Sequence, residues 1–155
     1  MLKKTITYID FDGNEQTTEA YFNLTKMECV DLNLEFEAEG GLIAKLKRLV
    51  SDDGDNRTHQ KDAIEFIRML IDRAYGVRPA EDPSLFLKED DDGKPLYKKF
   101  KQTAAYDAYV FALLSGDESL DEFADNVMPQ LNEAQRNEAA KLMAAEGIVV
   151  PKKEG

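Results

Sequence analysis

Two stretches near the N-terminus alternate between apolar and polar residues, which is the pattern of strands with one buried face. Ile6 and Tyr8 share one face of the first stretch, and Ala20 and Phe22 share one face of the second. Because opposite residues of an antiparallel ladder lie on the same face, even-numbered residues must pair with even-numbered residues. This parity requires a connecting loop of odd length, most simply Asp12-Gly13-Asn14, and predicts a β-hairpin.

After the hairpin, apolar residues recur along the chain at helical spacing. Thr25 and Glu28 form a capping box, in which each side chain bonds the other residue's backbone amide, and a helix to about Leu34 follows. The predicted apolar face of this helix is Met27, Val30 and Leu34. Gly40-Gly41 then interrupts the chain before a second amphipathic stripe, which leaves Lys45 outside its apolar face. The apolar positions of that stripe are Leu42, Ile43, Leu46, Leu49 and Val50.

Two longer helices are predicted further along the chain. The first has apolar positions from Ala63 to Tyr75, and Gly76 stands where a left-handed C′ residue belongs. Thr103 is the expected N-cap of the second, which ends at Ser115-Gly116. This second helix is apolar nearly all round, so it should be buried on most sides, in the protein's own core or against a partner.

These patterns predict an α+β fold that is mostly helical, with an N-terminal antiparallel β-hairpin packed on a helical bundle. A second capping box, Ser119 with Glu122, opens the last helix of the bundle, and Pro129 ends it. We expect one domain at residues 1–129 and a C-terminal helical extension and tail at residues 130–155.

Composition narrows the classes of function. A net charge of −11 argues against binding a nucleic-acid backbone, and no apolar run approaches the ~18 residues of a membrane span. Cys29 is the single cysteine and His59 the single histidine, which excludes an internal disulfide and any zinc site with two histidine ligands. We expect no cofactor and no metal, and we find no internal repeat.

The segment Asp10-Phe11-Asp12-Gly13 offers an enzymatic alternative. Haloacid-dehalogenase-like phosphatases end an apolar strand with Asp-x-Asp-Gly, using the first Asp as nucleophile and the second as general acid/base around Mg²⁺. Asp117 and Asp121 would supply their later metal-binding pair. However, the first strand of such enzymes is central in a parallel sheet and should read as a continuous apolar run, whereas residues 5–9 alternate. A hairpin turn is therefore the favoured interpretation of Asp10 and Asp12.

A series of short segments across residues 1–129 carries a family resemblance. In chain order they are Lys4-Thr5-Ile6-Thr7-Tyr8, Asp12-Gly13-Asn14-Glu15, Tyr21-Phe22-Asn23-Leu24-Thr25-Lys26, Gly40-Gly41-Leu42, Ala74-Tyr75-Gly76, Phe100-Lys101-Gln102-Thr103 and Phe123-Ala124-Asp125-Asn126-Val127-Met128-Pro129. In this order and spacing the chain resembles the tail assembly chaperones of long-tailed bacteriophages, especially those of Gram-positive hosts.

The resemblance implies a non-enzymatic protein, without catalytic residues, that binds the tape measure protein and keeps it soluble during tail tube assembly. It also implies action in the bacterial host cytoplasm, absence from the mature virion, and the tail tube protein as a further candidate partner. Formation of a homo-oligomer stays open, as does a different role as a self-assembling structural tail component.

The C-terminal apolar residues are the expected partner-binding positions. They are Leu142, Met143, Ile148, Val149 and Val150. The same residues fit equally well a tail that docks on its own domain. Genes of this kind often encode a longer product by ribosomal frameshifting, and Pro151-Lys152-Lys153 is compatible with an A-rich slippery sequence.

Overall fold

The computed structural model describes residues 1–51 and 57–129, and for residues 49–51 and 57–59 it describes the backbone alone. The predicted extension at residues 130–155, including the five C-terminal partner-binding positions, lies outside the described residues.

The contacts divide the chain into two compact units. Of the described residues, the first unit contains 1–24 and 57–127, and the second contains 25–51 and 128–129. The prediction of a boundary between residues 129 and 130 stays a prediction.

The described elements form an α+β fold that is mostly helical, as predicted. A three-stranded antiparallel sheet contains β1 (Leu2–Ile9), β2 (Glu15–Phe22) and β3 (Tyr75–Gly76), in the order β1-β2-β3. The helices are α1 (Lys26–Glu35), α2 (Leu42–Ser51), α3 (Arg57–Ala74), α4 (Tyr97–Phe100), α5 (Ala104–Ser115) and α6 (Leu120–Val127), with a 3₁₀ turn at Glu37–Glu39 between α1 and α2.

The hairpin has the predicted parity but a different loop. Ile6 pairs with Thr18 and Tyr8 pairs with Gln16, so even-numbered residues face one another as expected. The Asp10 N–H donates to the Asn14 carbonyl at 2.8 Å, which makes the loop Phe11-Asp12-Gly13 rather than Asp12-Gly13-Asn14. The ladder is therefore displaced by two residues from the simplest prediction, a shift that leaves the same side chains on the buried face.

The core of the first unit is a cluster of aromatic rings around Phe22, which is fully buried. The Phe22 ring centroid lies 5.4 to 6.1 Å from four other rings, mostly in edge-to-face geometry, which is favourable for aromatic pairs. These rings belong to Tyr75, Phe100, Tyr109 and Phe123. A single strand residue thus contacts side chains from β3, α4, α5 and α6.

The chain leaving β2 is also held by backbone hydrogen bonds. The Asn23 N–H donates to the carbonyl of Ala74 at the end of α3, and the Leu24 N–H donates to the carbonyl of Val127 at the end of α6, each at 2.8 Å. Lys88 adds a third connection, because its Nζ donates to the Asn23 carbonyl at 2.7 Å. The two backbone bonds satisfy carbonyls at helix ends, which lack partners within the helices.

Gly76 has a steric role rather than the predicted helix-capping role. It lies in β3 and does not adopt a positive φ, so the expected left-handed C′ position is wrong. A Cβ atom at Gly76 would lie 2.0 Å from Cε1 of Phe86. Glycine is required here because the Phe86 ring packs directly against the backbone.

In the second unit the capping box of α1 is confirmed, but Met27 does not lie on its buried face. The Thr25 hydroxyl accepts from the Glu28 N–H at 3.1 Å, and the Glu28 carboxylate accepts from the Thr25 N–H at 3.0 Å. Leu32 is the buried residue of α1, whereas Met27, which we predicted on the buried face, is 65% exposed. The weak amphipathicity of this helix left its orientation to tertiary packing.

Lys45 is a second departure from prediction in this unit. The sequence pattern placed it outside the apolar face of α2, yet it is only 2% exposed. Its Nζ lies 3.0 Å from the Glu39 carboxylate, and this pairing compensates for the burial of the charge. The partner precedes α2, so periodicity within α2 gave no sign of the pair.

We expect Phe22→Ala to reduce the free energy of unfolding by about 3–5 kcal/mol, because it removes a ring that contacts four others. Phe11→Ala is the matched control, since Phe11 is 84% exposed and the same truncation there should change stability by no more than about 0.5 kcal/mol. Urea denaturation monitored by circular dichroism measures both values. Equal values for the two variants would contradict the central position of Phe22.

Candidate functional site

The Asp10 carboxylate organises the hairpin turn. Its Oδ1 accepts the backbone N–H groups of Asp12 and Asn14 at 2.9 Å each, and its Oδ2 accepts from Gln16 Nε2 at 3.1 Å. The Gly13 N–H donates to the Asp10 carbonyl at 3.1 Å, and Gly13 has a φ of 84°. A type I turn followed by a left-handed glycine is a common three-residue hairpin loop.

These hydrogen bonds determine the ionisation of Asp10. The backbone amide of Asn14 is the largest cause that holds the pKa of Asp10 below its ordinary value, and Gln16, Asp12 and Gly13 act in the same direction. Hydrogen bonds to a carboxylate favour its charged form. The Asp10 carboxylate, which a phosphatase would use as its nucleophile, therefore accepts hydrogen bonds from donors within its own turn.

A second copy of the same turn occurs at Asp90-Asp91-Asp92-Gly93-Lys94. The Asp90 Oδ1 accepts the N–H groups of Asp92 and Lys94 at 2.9 Å each, and Gly93 has a φ of 78°. The Asp90 N–H donates to the Lys94 carbonyl at 2.9 Å, as Asp10 does to Asn14. Our sequence prediction included no such repeat, although Asp-x-Asp-Gly occurs twice in the chain and that recurrence was the available signal.

The two turns favour a structural interpretation of Asp10 and Asp12. The motif adopts one geometry at two places, and in both the first Asp caps backbone amides. In addition, β1 is the end strand of an antiparallel sheet, whereas the phosphatase comparison requires a central parallel strand. Among the described residues, no group of three or more His, Cys, Asp or Glu side chains is placed to hold a metal ion.

A shallow groove of about 360 Å³ lies beside α3 and α4. Its charged lining residues are Glu65, Arg68, Asp72, Arg73 and Lys101. Several of these are already engaged, since Lys101 Nζ lies 3.2 Å from the Asp72 carboxylate and Arg68 Nε donates to the Tyr106 hydroxyl at 3.5 Å. The groove thus has mixed charge and no convergent set of groups for chemistry.

Helix α5 is apolar on two opposite sides. Its N-cap is as predicted, because the Thr103 hydroxyl accepts from the Tyr106 N–H at 3.1 Å. The buried residues of the helix are Ala105, Tyr106, Tyr109, Val110 and Leu113. On the other side Phe111 is 68% exposed and Leu114 is 40% exposed. We predicted that this helix is buried in the protein's own core or against a partner. Within the described residues, the core covers only one of its sides.

Helix α5 and the segment that follows it are acidic. From Thr103 to Met128 the sequence contains six acidic residues and no Lys or Arg. They are Asp107, Asp117, Glu118, Asp121, Glu122 and Asp125. Lys4 pairs with Glu118 at 2.6 Å, and the other five are exposed. The combination of exposed apolar residues with charge of one sign is typical of an interaction surface.

Comparison with protein families assigns the chain. A family model described as phage tail assembly chaperone matches residues 1–152. The chain belongs to this family. The match includes both described ranges and continues through Leu142–Val150, beyond the segments that carry the resemblance in the sequence. Neither the curated proteins nor the solved structures gave a match.

No helix in the described part of this family member is suited to span a membrane. None of the helices at residues 1–51 and 57–129 combines the length and the apolar character needed to cross a bilayer.

We expect the stability contributed by the Asp10 charge to depend on pH. Because the folded state lowers this pKa, the contribution is present above the unfolded pKa and is lost as pH falls through the folded pKa. Asp10→Asn should therefore be less stable than the unmodified protein at pH 7, and the difference should shrink under acidic conditions.

Urea denaturation between pH 7 and pH 3 measures this difference, and NMR titration of the Asp10 carboxyl carbon locates the pKa directly. Asp12→Asn is the matched control, since it removes a carboxylate charge two residues away in the same hairpin turn. A difference for Asp10→Asn that does not change with pH would contradict the assigned role of the carboxylate.

Proposed function

We propose that this protein is a non-enzymatic chaperone that binds the tape measure protein and keeps it soluble while the tail tube assembles. The family match over residues 1–152 carries this proposal. In the proposed cycle the chaperone acts in the bacterial host cytoplasm, gives way to the tail tube protein, and is absent from the mature virion.

The surface chemistry of the chain supports this role. A tape measure protein is long and helical, and its apolar faces need cover before the tube encloses them. Exposed apolar residues on a folded domain supply such cover, and like charges keep the complexes apart. This chain combines the exposed Phe111 and Leu114 with a net charge of −11.

The geometry of the aspartates supports a non-enzymatic role. Asp10 and Asp90 direct their carboxylates at backbone amides within their own turns. Asp12 and Asp92 lie at the tips of these turns and are exposed. The carboxylates of Asp10 and Asp90 are thus explained by their turns, without a bound phosphate or metal.

The C-terminal apolar residues remain part of the proposal as partner-binding positions. They are Leu142, Met143, Ile148, Val149 and Val150. The family match extends over them, so the family pattern does not end with the described domain. A variant with Ser at all five positions tests their contribution in the experiment that follows.

We expect co-expression with the tape measure protein of the same phage to move that protein from the pellet to the soluble fraction and to give a complex on size exclusion. Quantitative gel analysis of the two fractions measures the effect. An unrelated acidic protein of similar size and net charge is the control, because it separates specific binding from general solubilisation by charge. An unchanged soluble fraction of the tape measure protein would contradict the proposal.

A further inference from the structure

Helix α5 carries an exposed stripe at helical spacing. Asp107, Phe111 and Leu114 lie within about 60° of one another around the helix axis, on the side opposite the buried Tyr109 and Leu113. Ala104 and Ala108 continue this stripe towards the N-terminus of the helix, and both are partly exposed. Small residues beside two large apolar ones leave room for another helix to approach closely.

Covering this stripe would release favourable free energy. Phe111 presents 68% of its surface and Leu114 presents 40%. Burying a large apolar side chain is worth about 1.5–3 kcal/mol, so the stripe offers favourable binding energy to a partner with an apolar face. Its position on a capped helix that packs on the aromatic core means that the surface is already formed before binding.

The charge around the stripe identifies the chemistry of the partner. Asp107 lies one turn before Phe111 on the same side of the helix, and the remaining acidic residues follow in the loop after α5 and in α6. Asp107 on the stripe and Asp117 in the loop after α5 are exposed, and α5 contains no Lys or Arg, so the stripe repels an acidic partner and attracts a basic one. A second copy of this chain would bring the same acidic residues against themselves.

We infer that the outer face of α5 is the docking site for an amphipathic helix of the client whose apolar side is flanked by Lys and Arg. This inference rests on the proposed chaperone function and assigns a surface and a partner chemistry to it. The apolar side of the client helix covers Phe111 and Leu114, and its basic residues pair with Asp107 and with Asp117 in the loop after α5.

Peptide binding tests the chemistry of this site. The probe is a synthetic amphipathic peptide of about 18 residues with Leu on one side and Lys on the other, and the control peptide replaces every Lys by Glu. We expect the full chain to bind the Lys peptide, to bind it more weakly at higher salt, and not to bind the Glu peptide. Equal binding of the two peptides, or no binding of the Lys peptide, would overturn the inference.

Substitutions locate the site on the molecule. Phe111→Ser with Leu114→Ser should weaken binding of the Lys peptide by about tenfold or more, and Asp107→Asn by about two- to fivefold. Phe11→Ser and Asp12→Asn are matched controls at another exposed Phe and another exposed Asp, and each should change the affinity less than twofold. Circular dichroism and thermal melting verify that all variants fold. Equal losses at the two sets of positions would overturn the inference.

Photo-crosslinking identifies the occupant in the complete system. A benzophenone amino acid placed at position 111, and at position 11 as the control, is activated in cells that co-express the tape measure protein. We expect position 111 to crosslink to the tape measure protein and position 11 to give no such product. Crosslinks from position 111 to residues 130–155 of the same chain, to a second copy, or to nothing would overturn the inference.

The experiments separate the two proposals. If the unmodified chain solubilises the tape measure protein and the Phe111→Ser, Leu114→Ser variant does so equally well, the proposed function stands and the α5 site fails. If the unmodified chain does not solubilise the tape measure protein, the proposed function fails whatever the peptide measurements show.

Discussion

The burial of Phe22 is the contact on which the first unit depends. Its ring lies at the end of β2 and contacts rings from β3, α4, α5 and α6, so elements far apart in sequence meet at one side chain. The chain beyond it is held by backbone bonds to the ends of α3 and α6. This arrangement explains why an eight-residue hairpin strand can organise a helical bundle: it supplies the residue that the helices share.

The way this core is packed determines which side of α5 is exposed. The inner side of α5 contributes Tyr109 to the cluster, which turns Phe111 and Leu114 away from it. A helix that is apolar on both sides can satisfy only one side within this core. The other side, which carries Phe111, Leu114 and the acidic Asp107, stays exposed.

Two aspartate turns show how a catalytic motif and a structural motif can share a sequence. Asp-x-Asp-Gly supplies a carboxylate that accepts amides two and four residues later, and a glycine that adopts positive φ, which together form a complete hairpin loop. In a phosphatase the first carboxylate would attack a substrate, whereas here it accepts hydrogen bonds from backbone amides. Its recurrence at Asp90 makes the structural explanation more specific than a single copy would.

Local patterns in the sequence determined the hairpin and its parity, the capping box of α1 and the bounds of α5, because each depends on residues a few positions apart. Tertiary structure alone decided which residue of α1 is buried, why Lys45 is covered and why Gly76 must be glycine. In the last two cases the reason is a contact with Glu39 or Phe86, whose position along the chain no periodicity encodes. The candidate site divides in the same way: the sequence shows that α5 is apolar nearly all round, and only the packing of Tyr109 against Phe22 determines that Phe111 lies on the side that faces outward.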